Sequence, residues 1–223
     1  MRMPTKARFT ASPVALLVAV IALSACHGDG STAPAPQAVT PQAKSLFVPG
    51  EAAKALVGVT DGDYVVTFDP SRDQAFYLGP NHLNIPANSV CALVGSGYGS
   101  AYWNQACTPE RLPVTITVKI RGSASDNPRV DFFPAMRFNP AKSVQLFMYV
   151  PHATQADATN WLMQYCAGNG GGQCIDESKT DASLTSYVDR SANVVFRRIK
   201  HFSGYVVTGR GDGSGDGSGI IGN

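Results

Sequence analysis

The 223 residues carry 18 Lys and Arg against 16 Asp and Glu, a formal net charge of +2, with 44% apolar residues and five cysteines. A balance so close to zero offers no basic excess to attract nucleic acid, which excludes a charge-driven nucleic-acid binder. The length suits one domain of about 150 residues with additional segments, large enough to bury roughly 70% of the surface its unfolded chain exposes.

At the start, Arg2, Lys6 and Arg8 precede an uncharged run from Phe9 to Ala25 whose apolar centre is Val14–Leu23. This charge-then-apolar order is that of a secretory signal. The run falls short of the roughly 20 residues that a spanning helix needs. Its end, Leu23-Ser24-Ala25-Cys26, resembles the lipobox of bacterial lipoproteins. The resemblance implies cleavage before Cys26, diacylglycerol on its sulfur and an acyl chain such as palmitate on its new amine. Residues 1–25 are then a signal peptide, and the lipid on Cys26 makes the membrane the first expected partner. Several acyl chains hold a protein lastingly where one holds it only marginally. In that family Asp after the cysteine favours the inner membrane, so His27 points to the outer membrane of a two-membrane envelope. Loss of Arg2, Lys6 and Arg8 leaves 18 − 3 = 15 basic residues against 16 acidic ones.

Residues 26–60 are rich in Ala, Pro, Gln, Thr and Gly, as in Gly30-Ser31-Thr32-Ala33-Pro34-Ala35-Pro36. Such a composition cannot bury enough apolar surface to offset its ordering cost and predicts a flexible linker. Within it Leu46-Phe47-Val48 and Glu51–Leu56 are a candidate short strand and helical turn.

From Asp63 the chain breaks into short β-rich runs separated by Pro, Gly, Asn and Asp. Strands are predicted at 64–68, 75–78, 82–85, 89–93, 114–121, 129–133, 144–150, 159–166, 183–188, 193–199 and 204–208. Val114, Ile116, Val118 and Ile120 alternate with Thr115, Thr117 and Lys119, the period-2 pattern of a half-buried strand. In 144–150 apolar residues occupy both phases, which predicts cover on both faces. Many short strands without a helical period predict an all-β, antiparallel β-sandwich over residues 61–209. Residues 210–223, with Gly-Asp-Gly-Ser repeated, form a flexible tail. Its Arg210-Gly211-Asp212 spells an integrin-binding tripeptide that arises easily by chance in such a composition, and its repeats lack the full pattern of calcium-binding nonapeptides.

With Cys26 committed to lipid, Cys91, Cys107, Cys166 and Cys174 remain. Three pairings are allowed. The two local ones, Cys91–Cys107 and Cys166–Cys174, enclose Gly-rich loops able to fold back on themselves. A four-cysteine zinc site is the other use of this set, but neither pair has the close spacing such sites favour. No metal and no cofactor are expected.

Four stretches in order, Leu83–Val90, Ile116-Thr117-Val118, Phe138–Leu146 and His201–Val207, resemble successive landmarks of a ZU-type domain, a β-sandwich module of ankyrins and netrin receptors with relatives on bacterial surfaces. The resemblance spans Asn81 to Thr208, and the two cysteine loops depart from it. It also singles out His201, Phe202 and Ser203, because a His-Phe-Ser triplet is the cut site of self-cleaving ZU-containing proteins and of nucleoporin autoproteolytic domains. The resemblance implies attack by Ser203 Oγ on the Phe202 carbonyl with His201 as general base. The alternative is structural: His201 satisfies buried polar groups, Phe202 fills core and Ser203-Gly204 bend the chain.

Other catalytic patterns are scarce. Gly95-Ser96-Gly97 is not flanked as a nucleophile elbow requires. His82 and His152 stand alone, and the spacing of Asp126, Asp131, Asp157, Asp176, Glu177, Asp181 and Asp189 identifies no acid–base pair. The leading expectation is therefore a non-catalytic domain, lipid-anchored on a bacterial envelope, that contacts a protein or glycan. Tyr98, Tyr102 and Trp103 are its candidate contact residues, since Tyr and Trp supply large contact area at low entropic cost. The other role open to Trp103 is to pack on a Cys91–Cys107 bridge.

Overall fold

The computed structural model describes residues 37–39, for which only the backbone is considered, and residues 61–151, 160–168 and 173–209. Cys26 and the signal peptide, nearly all of the linker, Leu46–Leu56, His152, Asp157 and the tail with Arg210-Gly211-Asp212 lie outside the described residues.

The described residues form an all-β sandwich of two sheets. The strands are β1 (Gln37–Val39), β2 (Gly62–Phe68), β3 (Gln74–Leu78), β4 (Asn81–Ile85), β5 (Val114–Arg121), β6 (Arg129–Phe133), β7 (Val144–Tyr149), β8 (Trp161–Cys166), β9 (Cys174–Ile175), β10 (Tyr187–Asp189), β11 (Val194–Ile199) and β12 (Gly204–Gly209). One sheet has the order β1-β2-β5-β6-β12-β8-β9 and the other β10-β11-β7-β4-β3. Every pairing is antiparallel except that of β1 with β2, where Gln37 lies opposite Tyr64 and Val39 opposite Val66. The three residues of β1 fall inside the stretch expected to be linker. A strand at a sheet edge needs only backbone partners, so composition does not reveal it.

The core follows from side-chain alternation. On β5, Val114, Ile116, Val118 and Ile120 turn inward with Val66 and Phe68 of β2 and meet Leu83, Leu146 and Val195 from the opposite sheet. Each large apolar side chain removed from water contributes roughly 1.5 to 3 kcal/mol. The second sheet is also covered on its outer face. There Tyr187, Phe196, Phe147, His82 and Tyr77 form a cross-strand aromatic row through all five strands, neighbouring centroids 4.5–5.8 Å apart. Phe147 is 2% exposed, so β7 is buried on both faces as its sequence predicts.

Two predicted strands are corrected. Residues 89–93 make only single bridges, Val90 to Phe138 and Cys91 to Pro109, because the chain turns at once into a loop. Residues 183–188 begin as a 3-10 turn, Ala182–Leu184, whose Ser183 amide is capped by the Asp181 side chain; only Tyr187–Asp189 pairs as a strand. Capping by a short acidic side chain competes with strand pairing at that point.

Candidate functional site

The segment from Ile199 to Gly204 carries the chain out of β11 in one sheet and into β12 in the other, across one end of the sandwich. It pairs with a second crossover, between β6 and β7. Phe138 N–H donates to Lys200 O at 2.8 Å, Phe202 N–H to Met136 O at 2.6 Å and Phe132 N–H to Ser203 O at 3.0 Å. Phe202 fills core beneath this corner, stacked on Phe132 at 4.9 Å and edge-on to Phe138 at 4.7 Å. Gly204 has a close-approach role: a Cβ there would lie 2.4 Å from Asp131 Oδ1, against the Arg129–Asp131 ion pair.

His201 is fully buried inside an aromatic cage. Trp103 stacks on it at 4.1 Å, Tyr205 lies parallel beyond at 5.9 Å, and Tyr165 and Tyr98 meet it edge-on. Its Nε2 lies 3.2 Å from Glu177 Oε1, and its Nδ1 lies 3.3 Å from the Tyr205 hydroxyl and 3.5 Å from that of Tyr98. Those two hydroxyls donate to nearer acceptors, Tyr205 to His201 O at 2.7 Å and Tyr98 to Phe202 O at 2.9 Å.

Burial pushes the His201 imidazole below its ordinary value, outweighing the upward pull of Glu177. Burial alone would raise Glu177, but the His201 hydrogen bond and the Arg197 guanidinium outweigh it and hold the carboxyl below the usual range. The consistent state is therefore a Glu177 carboxylate paired with Arg197 and accepting from the Nε2–H of a neutral His201. Arg197, itself fully buried, also donates to Met163 O at 2.9 Å. Lys200 reaches Asp181 and Asn104, which ties the same corner to both flanking loops.

Both cysteine pairs are joined, Cys91 to Cys107 and Cys166 to Cys174. The first closes the loop bearing Tyr98, Tyr102 and Trp103. Arg137 organises this loop from within, donating to Ser96 O at 2.8 Å, Tyr102 O at 3.0 Å, Gln105 O at 2.6 Å and Ala106 O at 3.4 Å. A Cβ at Gly97, where φ is +66°, would strike the Tyr102 ring at 2.7 Å. The second bridge ends just before Glu177.

The expected contact residues divide. Tyr98 and Tyr102 are 40% and 41% exposed, whereas Trp103 turns inward onto His201 and the edge of Tyr165. It packs on the histidine rather than outward. Burial pushes the Tyr98 phenol up to about 12, with the Ser203 hydroxyl beside it pulling the other way. Ser203 Oγ donates weakly to Cys166 O at 3.4 Å. Sequence spacing did not anticipate Glu177, Arg197, Tyr165, Tyr205 or Arg137, because each reaches the site from a different element.

Beside this corner a cavity of about 150 Å³ opens between Tyr98, Tyr165, Phe133, Asp131, Ser203 and Gly204. Among the described residues no three His, Cys, Asp or Glu side chains converge in a manner able to hold a metal ion. Comparison of the chain with known protein families, with curated proteins and with solved structures finds no match.

Proposed function

We propose that this chain is a lipoprotein of the bacterial envelope, anchored through lipid on Cys26, that displays a non-catalytic sandwich of ZU type to a protein or glycan partner. The observation that carries the reading is the pair of bridges, Cys91–Cys107 and Cys166–Cys174. Structural disulfides belong to oxidising compartments, to which the apolar leader ending in Leu23-Ser24-Ala25-Cys26 would deliver the chain. The enclosure of His201, with Nε2 committed to Glu177, supports a packing role for the His-Phe-Ser corner. The outer membrane is the proposed address, following His27. Cys26→Ser tests the anchor: palmitate labelling and membrane fractionation should both lose the protein. A variant equally trimmed and equally membrane-bound would overturn the reading.

One contact favours a second reading, self-cleavage between Phe202 and Ser203. The Tyr98 hydroxyl donates to the Phe202 carbonyl oxygen at 2.9 Å, where an oxyanion would form. Ser203 Oγ would bond to the Phe202 carbonyl carbon and lose its proton to His201. The C–N bond would break as nitrogen takes that proton, leaving an ester and a free Ser203 amine, and water would then release the Phe202 carboxylate. A fragment beginning at Ser203, freed on denaturation and abolished by Ser203→Ala, supports this reading; an intact Phe202–Ser203 bond rules it out.

A further inference from the structure

The cavity beside the corner has a lining whose chemistry selects a ligand. Its volume, about 150 Å³, is that of a site for one six-membered ring rather than for an extended chain. Tyr98, Tyr165 and Phe133 are among the residues that line it. An aromatic face turned towards such a cavity favours the weakly positive C–H edges of a ring laid against it.

The polar groups in the lining lean towards acceptance. Asp131 takes one hydrogen bond on each oxygen from Arg129, Nε to Oδ2 at 2.8 Å and Nη2 to Oδ1 at 2.8 Å. A carboxylate has about four lone-pair sites, so roughly half of its accepting capacity is left. The Tyr98 hydroxyl has given its proton to Phe202 O and can still accept. Ser203 Oγ lies 3.4 Å from Cys166 O, beyond the usual range for a hydroxyl donor, and beside the Tyr98 hydroxyl, and it can turn from the long contact to a better partner.

Charge excludes the obvious ionic ligands. The guanidinium of Arg129 cancels the Asp131 carboxylate within the pair, so the cavity presents neither a free cation to an anion nor a free anion to a cation. The pair is also rigid: Gly204 leaves just enough room for it, and its side chains are 18% and 10% exposed. A fixed acceptor beside aromatic residues is preorganised for a ligand that brings its own hydroxyl donors.

We propose that this cavity binds a single neutral, hydroxyl-bearing ring, the terminal pyranose of a saccharide. The proposal names the ligand class for the glycan arm of the display reading and rests on it only in that respect, since the cavity does not depend on the lipid.

The test uses the full chain, purified in a zwitterionic, sugar-free detergent and observed by amide-correlation NMR. The probes are the methyl glycosides of glucose, galactose and N-acetylglucosamine, with phosphate and p-cresol as ionic and aromatic comparators. At least one glycoside should shift the amides of Gly168, Ser203 and Gly204 saturably, in the millimolar range expected for one small ring. Ala135→Phe, placed on the exposed wall, should abolish those shifts by filling the cavity, and Ser203→Ala should weaken binding roughly tenfold. If Ala135→Phe loses its native spectrum, Ala135→Leu takes its place with the same expectation. Absence of shifts with all three glycosides, shifts with phosphate or p-cresol alone, or undiminished shifts in the filled variant would each overturn the proposal. A failure here leaves anchoring by Cys26 intact, because that is read separately by labelling and fractionation.

Discussion

His201 and Trp103 lie face to face, ring centroids 4.1 Å apart and planes 21° from parallel. One belongs to the crossover between the sheets and the other to the Cys91–Cys107 loop. The stack makes the loop a cover for a buried imidazole, so the shape of the loop and the ionisation of the histidine depend on each other.

Trp103→Ala should therefore do two things. It removes a half-buried indole and costs about 2 to 3 kcal/mol, somewhat below the range for a fully buried aromatic. It also admits water to His201, whose pKa should rise towards its ordinary value as the burial that lowers it is relieved. Chemical denaturation measures the first effect and a histidine NMR titration the second.

Glu177→Gln should be among the most damaging single changes at the corner. It leaves the Arg197 guanidinium buried without its carboxylate, a situation that costs about 3 to 5 kcal/mol. Replacing Arg197 and Glu177 together by Met and Leu should cost far less than Glu177→Gln alone, because no uncompensated charge then stays inside. Denaturant midpoints of the two variants make the comparison.

Acid should destabilise the fold in a defined window. Burial holds His82 down at about 4, against the opposing hydrogen bond to Asn84, and holds His201 below its ordinary value as well. The unfolded chain, with histidines near 6.5, binds more protons than the folded one below that pH. Stability is then complete above about 6.5 and falls as pH drops towards 4, by on the order of 3 kcal/mol from His82. Glu177 and Asp181, both lowered in the fold, extend the loss further into acid. Thermal unfolding at stepped pH should show this slope, and His82→Gln should flatten its upper part.

Each disulfide closes a short loop, with sequence separations of 16 and 8 residues. Removing Cys91–Cys107 should cost about 3 kcal/mol and removing Cys166–Cys174 about 2.5 kcal/mol from chain entropy. The paired substitutions Cys91→Ala with Cys107→Ala, and Cys166→Ala with Cys174→Ala, read out by denaturation, measure each term. The second pair should also raise the exposure of His201, since it frees the segment that delivers Glu177.

Strands were legible where one face meets water and the other meets core. Val114–Arg121 has that alternation and pairs as read, and the doubled apolar phases of Val144–Tyr149 announced a strand covered on both sides. Residues 89–93 are also largely apolar, yet the chain there is held one residue at a time between Pro109 and Phe138, a tertiary circumstance invisible locally. A legible pattern was missed at Asp69-x-Ser71, Asp176-x-Ser178, Asp181-x-Ser183 and Asp189-x-Ser191. In each the carboxylate accepts from both the amide and the hydroxyl of the serine, marking a turn. The triplet His201-Phe202-Ser203 was visible as a corner, but its partners were not. Tyr98 and Trp103 reach it through the loop closed by Cys91–Cys107 and Glu177 from the turn just beyond Cys174, and nothing in their spacing encodes that meeting.

The intact mass of the chain extracted from membranes under non-reducing conditions tests the central claim most directly. A lipid-anchored, uncut display domain predicts a polypeptide beginning at Cys26, heavier by its acyl groups, lighter by the hydrogens lost to two disulfides, and continuous through Phe202–Ser203. A mass that retains residues 1–25 or lacks the lipid would contradict the account.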